Sequence, residues 1–128
     1  MFLEALEDAL VFRGFRVLKA RDVASAMHIL RETPIDAMTI DIMLSPGTGL
    51  EGVIKPHNAG YHLCRQVAKD HPRMPTFCMS VVSDARTISK IEKLGIRFLR
   101  KGETPLRTVL QLIESRLRDL PPASLAID

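Results

Sequence analysis

The stretch TIDIMLSPGTG, Thr39 to Gly49, contains the pattern that decides the fold. An apolar run ends on the carboxylate of Asp41, and Ser, Pro and Gly residues follow directly. An aspartate in this position has an ordinary explanation, because its side chain often hydrogen-bonds the backbone at the start of a loop. A carboxylate at the carboxyl end of a parallel strand, however, lies where open α/β sheets bind ligands and carry out chemistry. The rest of the sequence has to decide between these two interpretations.

Helical and strand-like segments alternate on both sides of this stretch. Apolar spacing and capping residues predict helices over 2–12, 22–32, 61–69, 84–94 and 104–117. Short apolar or alternating runs predict strands over 15–20, 35–41, 75–82 and 96–99. Such alternation requires a parallel sheet with helices on both faces, joined by right-handed crossovers. The predicted fold class is therefore α/β, a three-layer, doubly wound parallel sheet.

Length and composition indicate a single globular domain. The chain has 128 residues, and its 46% hydrophobic and 26% charged residues match an average globular domain, which excludes the disordered class. Its apolar runs are shorter than the roughly 20 residues that cross a bilayer. The N-terminus is acidic and lacks the basic region of a signal peptide. We therefore expect a cytoplasmic protein that does not enter a membrane.

Neither the charge nor the cysteines point to nucleic acid, zinc or disulfides. The net charge is +3, but the basic residues are scattered among acidic ones, and five phenylalanines and one tyrosine offer little for base stacking. We therefore expect no nucleic-acid partner. Cys64 and Cys78 lack both CxxC spacing and a secretory context, so we expect two buried thiols.

Three polar side chains end consecutive predicted strands. They are the carboxylate of Asp41, the hydroxyl of Ser80 and the ammonium of Lys101. Because the carboxyl ends of parallel strands meet at one edge of a sheet, these groups are expected to converge where a ligand can reach them. Three independent loop preferences would not account for that convergence.

At these residues the chain resembles the receiver domains of bacterial two-component response regulators, which have a flavodoxin-like fold. The matching motifs are IDAMTIDIML, MPTFCMSV and GIRFLRKG, and the resemblance covers essentially the whole chain. It implies that Asp41 is the phosphoacceptor, that Ser80 and Lys101 assist it, and that Ser80 and Phe98 form a switch. It also implies Mg²⁺ as cofactor, a histidine kinase or phosphotransfer protein as phosphoryl donor, and a downstream protein effector.

Physical chemistry makes these implied roles coherent. A phosphoryl group carries charge that must be neutralised as it moves to a carboxylate, and Lys101 would supply a fixed positive charge. Ser80 would donate to a phosphate oxygen, and Mg²⁺ would bridge the phosphate and carboxylates. The resemblance further implies that phosphate draws in the Ser80 loop, that Phe98 changes rotamer, and that the surface around 84–100 is reshaped.

The first departure from the family is a missing strand. Receiver domains begin with a strand that ends in two acidic residues, whereas this sequence begins with the helix that follows. Three explanations are open: a truncated record, a homodimer that restores strand pairing, or a replacement strand from the C-terminal ASLAID. The third would bring Asp128 to Asp41 as a second metal ligand. We therefore divide the chain into a receiver-like domain, 1–120, and a C-terminal tail or replacement strand, 121–128.

Two further departures lie near the predicted site. Residues 45–60 form an unusually long connection, which either gates the site or is a surface excursion. Gly102 follows Lys101 where the family usually has proline, which removes a constraint on the lysine. His57 and His62 lack a third ligand for a metal, and His28 lies on a helix without an acidic neighbour, so none is expected to be a site.

Two functions remain open after the sequence. The first is a receiver domain phosphorylated on Asp41. The second is a pseudo-receiver, a protein-interaction module that keeps the fold but is not phosphorylated. An enzyme acting on an external substrate is disfavoured, because the sequence pairs no nucleophile with a base and contains no phosphate-cradling glycine motif.

Overall fold

The computed structural model describes residues 2–44, 46–47, 49–50, 52, 58–81 and 84–118. These residues form α1 (Phe2–Phe12), α2 (Val23–Glu32), β1 (Met38–Asp41), α3 (Ala59–Asp70), β2 (Thr76–Ser80), α4 (Ala85–Lys93), β3 (Arg97–Arg100) and α5 (Leu106–Arg118). The predicted helices are confirmed, with ends displaced by up to two residues. Residues 119–128, including the predicted replacement strand, lie outside the described part of the chain.

The sheet is parallel, as predicted, and β2 lies at its centre. The strand order is β1-β2-β3, with Asp41 opposite Met79 and Ser80 opposite Arg100. Every residue of β2 is buried, which agrees with its continuous apolar sequence and with helices covering both faces. The parallel arrangement brings the carboxyl ends of all three strands to one edge.

Helices cover the two faces of the sheet unequally. On one face α2, α3 and α4 pack around a buried cluster formed by Val23, Ala26, Ile40, Ala59, Leu63, Cys64, Val67, Cys78, Ile91 and Ile96. On the other face α1 and α5 pack around Leu6, Phe77, Met79, Leu99, Val109, Leu110 and Ile113. The molecule therefore has the three layers expected of a doubly wound α/β fold.

The strand predicted over 15–20 is wrong. These residues form no strand, and no main-chain hydrogen bond among the described residues involves 16–20. Alternating side chains favour an extended backbone, but a strand also needs a neighbour with which to exchange hydrogen bonds. In the described chain β1 pairs only with β2, so the segment has no such neighbour.

The two cysteines are buried free thiols, as predicted. A hydrogen bond with Cys64, together with burial, raises the pKa of the Cys78 thiol far above its usual range. Both side chains are fully buried in the cluster beneath α2, α3 and α4. Because the thiolate is the reactive form, a thiol held neutral in this way is chemically inert and serves packing.

Within the described residues, no helix is long and apolar enough to span a lipid bilayer.

Candidate functional site

Asp41 and Lys101 form an ion pair at the carboxyl edge of the sheet. Asp41 is the last residue of β1, and Lys101 directly follows β3. The Lys101 Nζ lies 2.5 Å from Asp41 Oδ2, and the two side chains are 19% and 25% exposed. The predicted convergence is thus confirmed for these two groups. Their partial burial strengthens the attraction, because water screens the two charges less than it would on an open surface.

The backbone holds both members of the pair. The Met43 N–H donates to Asp41 Oδ1 at 2.9 Å, which fixes the carboxylate as the chain turns away from β1. The Lys101 N–H donates to the Ser80 carbonyl oxygen at 2.9 Å, which ties the residue after β3 to the end of β2. The Asp41 carboxylate therefore has the loop cap of the simpler interpretation and also a charged partner from a distant strand.

Ser80 closes β2 between the two charged residues. It is fully buried, and its register partner on β3 is Arg100, which precedes Lys101. The residue before it on β2, Met79, is the register partner of Asp41. The strand ends therefore bring the predicted carboxylate, hydroxyl and ammonium residues to the same edge. Gly102 then turns the chain with φ +85°, a left-handed conformation that proline cannot adopt.

Phe98 borders a cavity of about 190 Å³ whose lining includes Ile42 and Met43, the two residues after Asp41. The cavity is lined by Ile42, Met43, Asn58, Tyr61, Asp84, Thr87, Ile88, Lys90 and Phe98. At its rim the Lys90 ammonium lies 5.7 Å from the centre of the Tyr61 ring, a cation–π contact between α4 and α3. Hydrogen bonds from the Thr87 hydroxyl and the Arg86 N–H hold the pKa of Asp84 below its usual range. Phe98 thus lies at the wall of this cavity, next to residues of α3 and α4.

Gly60 fixes the backbone that follows Asp41. It is buried in the first turn of α3, and a Cβ built on it would lie 2.5 Å from Ile42 Cα and 2.6 Å from the Ile42 carbonyl carbon. Real Cβ atoms do not approach this closely, so only glycine allows α3 to pack against this backbone. The contact with α3 determines where Ile42, and hence the adjacent Asp41, is held.

The N-terminus of α2 contacts the loop that follows β1, at Pro46 and Gly47. Asp22 and Ser25 form a capping box, with the Ser25 N–H donating to Asp22 Oδ1 at 2.8 Å. The Ala24 N–H donates to the Pro46 carbonyl oxygen at 3.0 Å, and Gly47 packs against the Asp22 carboxylate. The rest of the predicted gating loop, 45, 48, 51 and 53–57, lies outside the described residues.

We expect Asp22→Ala to lower the Tm by a few degrees at neutral pH, because it removes the cap of α2. Hydrogen bonds from the Ser25 hydroxyl and N–H lower the pKa of Asp22 from its ordinary 3.8. The stabilisation is therefore present above pH 3.8 and is lost as the pH falls through the folded-state pKa. Thermal unfolding of the unmodified chain and of Asp22→Ala between pH 2 and 7 measures this pH-dependent difference in Tm. The control Asp70→Ala, at the exposed end of α3, should not lower Tm; a Tm difference for Asp22→Ala that persists at the acidic extreme would contradict the assignment.

The described residues do not by themselves fit a Mg²⁺ ion. They contain no cluster of three or more His, Cys, Asp or Glu side chains that could hold a metal. At the strand edge Asp41 is a single carboxylate, already paired with Lys101, and Mg²⁺ requires several oxygen ligands. His62 is described without metal-ligating neighbours, whereas His57 and Asp128 lie outside the described part of the chain.

Sequence reasoning missed three contributors to this edge. Met43 acts through its N–H, which is independent of residue type and leaves no signal in a sequence. The Tyr61–Lys90 contact joins positions whose separation along the chain gives no hint of contact. Gly60 did leave a signal, because a glycine in the first turn of a helix costs stability without a packing reason.

No protein-family model matches the sequence, and no curated protein does. Solved structures do match. A CheY-like response regulator receiver domain protein from Methanospirillum hungatei JF-1 is 17% identical, with a TM-score of 0.76 over 92% of this chain and 86% of its own. A response regulator from Thermotoga maritima is 24% identical, with a TM-score of 0.69 over 92% and 88%.

A third similar structure contains a phosphorylated residue. It is a response regulator from Burkholderia pseudomallei with a phosphorylated aspartic acid, a calcium ion and citrate. It is 19% identical, with a TM-score of 0.65 over 98% of this chain and 64% of its own. The layers, the strand order and these structural neighbours agree: the chain has the CheY-like, flavodoxin-type fold of the receiver domains of two-component response regulators.

Proposed function

We propose that this chain is a two-component signalling receiver that accepts a phosphoryl group on Asp41. The observation that carries the proposal is the ion pair between Lys101 Nζ and Asp41 Oδ2 at 2.5 Å, at the edge where β2 ends in Ser80. A loop-capping aspartate needs no lysine from another strand. A carboxylate that receives a dianionic group does need one, because the incoming charge must be neutralised.

The donor in this proposal is a phosphohistidine of a histidine kinase or phosphotransfer protein. The phosphorus–nitrogen bond breaks as a phosphorus–oxygen bond forms to a carboxylate oxygen of Asp41, and the imidazole takes up a proton as it leaves. The Lys101 ammonium, already beside that carboxylate, pairs with the phosphoryl oxygens. The Ser80 hydroxyl donates to another of these oxygens, and both interactions stabilise the acyl phosphate.

The output in this proposal is a change of surface. Ser80 moves toward the phosphoryl group, and Phe98 turns into space beside the cavity it borders. Because Phe98 lies on β3 and the cavity is walled by α4, the change is transmitted to the surface formed by α4 and β3. A downstream protein effector that binds one of the two surfaces more tightly then reads the phosphorylation state.

A second candidate function is a phosphorylation-independent interaction module. One observation favours it: the described residues place a single carboxylate at the strand edge, which by itself is a poor divalent-cation site. In this alternative the Asp41–Lys101 pair is a structural ion pair. The chain would bind its partner through the same α4 and β3 surface without a covalent switch.

Intact mass spectrometry separates the two functions. The folded chain is incubated with Mg²⁺ and a small acyl-phosphate donor, beside an Asp41→Asn variant that keeps the shape of the side chain but lacks the nucleophilic oxygen. The proposal predicts a gain of one phosphoryl group that the variant does not show. Equal masses before and after, from a chain shown by circular dichroism to be folded, would leave the interaction module as the function.

A further inference from the structure

A groove on the outer surface of α3 combines positive charge with apolar side chains. It has a volume of about 520 Å³ and is lined by His62, Arg65, Gln66, Ala68, Lys69 and Leu94. None of these described lining residues is acidic, and Arg65 and Lys69 form no ion pair with any residue that the structure describes. The two cations lie four residues apart, on one side of the helix. This α3 groove therefore offers two unpaired positive charges beside the half-buried apolar side chains of Ala68 and Leu94.

The outward side of α1 carries the opposite charge and two exposed apolar side chains. Glu4 and Asp8 are exposed and lie four residues apart, as the two cations of the α3 groove do. Val11 and Phe12 follow on the same side, and they are 54% and 80% exposed. Positions i, i+4, i+7 and i+8 share one side of a helix, and Leu6 on the opposite side is buried in the core. These four exposed residues, the outer stripe of α1, complement the α3 groove in charge and in apolar character.

One molecule cannot join its own two surfaces. Helix α1 packs on one face of the sheet with α5, whereas α3 packs on the other face with α2 and α4. We propose that the outer stripe of α1 of one copy docks in the α3 groove of a second copy. Because the two surfaces of each copy face away from each other, one partner cannot occupy both. The interface is therefore heterologous, and it adds copies head to tail through helices, without any pairing of strands.

Residue spacing determines how the two helices align. With the helices parallel, the two carboxylates of α1 face the two cations of α3 in order, because each pair is separated by about 6 Å along its helix. Asp8 then faces Lys69, and Phe12 lies one turn farther along, toward the carboxyl end of α3. Leu94 lines the groove at this end, because α3 and α4 both follow strands of a parallel sheet and so end at the same edge. The parallel orientation thus brings the exposed aromatic ring to an apolar partner.

The apolar contact and the ion pairs have different roles in this interface. Burial of an aromatic ring contributes most of the affinity. Ion pairs at a surface contribute little, because water screens them, and they chiefly set the orientation of the partner. One helix in one groove is smaller than a standard protein interface. The association is therefore weak and reversible, and it leaves the carboxyl edge with Asp41 accessible, since the groove extends away from that edge. It does not rest on the proposed phosphorylation.

Sedimentation velocity at protein concentrations from about 10 μM to about 1 mM tests the association, because an interface of this size is expected to be weak. The unmodified chain should change from a monomer to species larger than a dimer as its concentration rises, since each added copy presents a new groove. Phe12→Asp and Lys69→Glu should each remain monomeric, and circular dichroism checks that both fold. Arg31→Glu is the matched control: it makes the same charge change in the last turn of α2 and should associate like the unmodified chain.

A mixture of the two monomeric variants identifies the interface. The Phe12→Asp variant keeps an intact α3 groove, and the Lys69→Glu variant keeps an intact outer stripe of α1. Together they should form one-to-one dimers that grow no further, because the remaining two surfaces are both acidic. Such dimers support the proposal.

Three results would overturn the proposal. One is a chain that stays monomeric at every concentration. Another is a mixture of the two variants that contains only monomers. The third is association that stops at a dimer or that persists in both single variants, which would show that copies meet through another surface, such as the edge of the sheet.

Discussion

Replacing Lys101 with methionine is expected to slow phosphoryl uptake on Asp41 by about 100-fold, since removing one preorganised donor from a charged transition state typically costs that much. Methionine keeps the length and apolar stem of the side chain but removes the charge that lies 2.5 Å from the carboxylate. The rate of phosphoryl gain, followed by intact mass at a fixed concentration of acyl-phosphate donor, measures the effect.

Lys19→Met is the matched control for this prediction. The Lys19 side chain is 71% exposed and its Nζ lies 3.2 Å from Glu7 Oε1, so it takes part only in a surface ion pair. The control removes one positive charge from the protein without touching the strand edge, and uptake should be unchanged. Similar rates for Lys101→Met and the unmodified chain would mean that the lysine contributes no charge stabilisation.

Gly60→Ala is expected to destabilise the domain by about 3 kcal/mol, the upper range for forcing extra atoms into a packed interior. The added methyl would collide with the main chain at Ile42, which cannot move aside like the end of a flexible side chain. The displaced backbone continues into Asp41, so phosphoryl uptake should fall as well. Urea unfolding measures the first effect, and the mass assay the second.

Gly52→Ala makes the same chemical change where there is room. Gly52 is exposed, and a Cβ built there meets no atom within 4 Å. The free energy of unfolding of the Gly52→Ala variant should differ from that of the unmodified chain by less than about 0.5 kcal/mol, as is usual for surface substitutions. If the two alanine variants have the same urea midpoint, the close approach of α3 to the backbone after Asp41 is not the constraint that the structure indicates.

Much of this fold is predictable from local signals. The helix caps at Asp22 and Asp84 and the apolar run of β2 identify their elements directly, because each signal acts within a few residues. The pairing of Asp41 with Lys101 also follows from sequence, since parallel strands align their carboxyl ends. Predicting these features required only the chemistry of neighbouring residues and the rule that parallel strands align their carboxyl ends.

Other features depend on partners that are distant in the sequence. Residues 15–20 have strand-like alternation, but no periodicity tells whether a neighbouring strand is available to pair with them. The contact of Gly60 with Ile42 and that of Lys90 with Tyr61 are set by how α3 lies against β1 and α4. Tertiary packing alone determines these contacts.

The position of β2 has a consequence for how the domain unfolds. Its side chains enter both helical layers: Phe77 and Met79 pack toward α1 and α5, and Cys78 packs toward α2, α3 and α4. Neither helical layer is expected to unfold while the other remains intact, because unfolding of either layer removes contacts that hold the shared strand β2. Unfolding should therefore be a single cooperative transition, and a mechanical pull on Ser80 at the end of this strand would load both sides of the molecule at once.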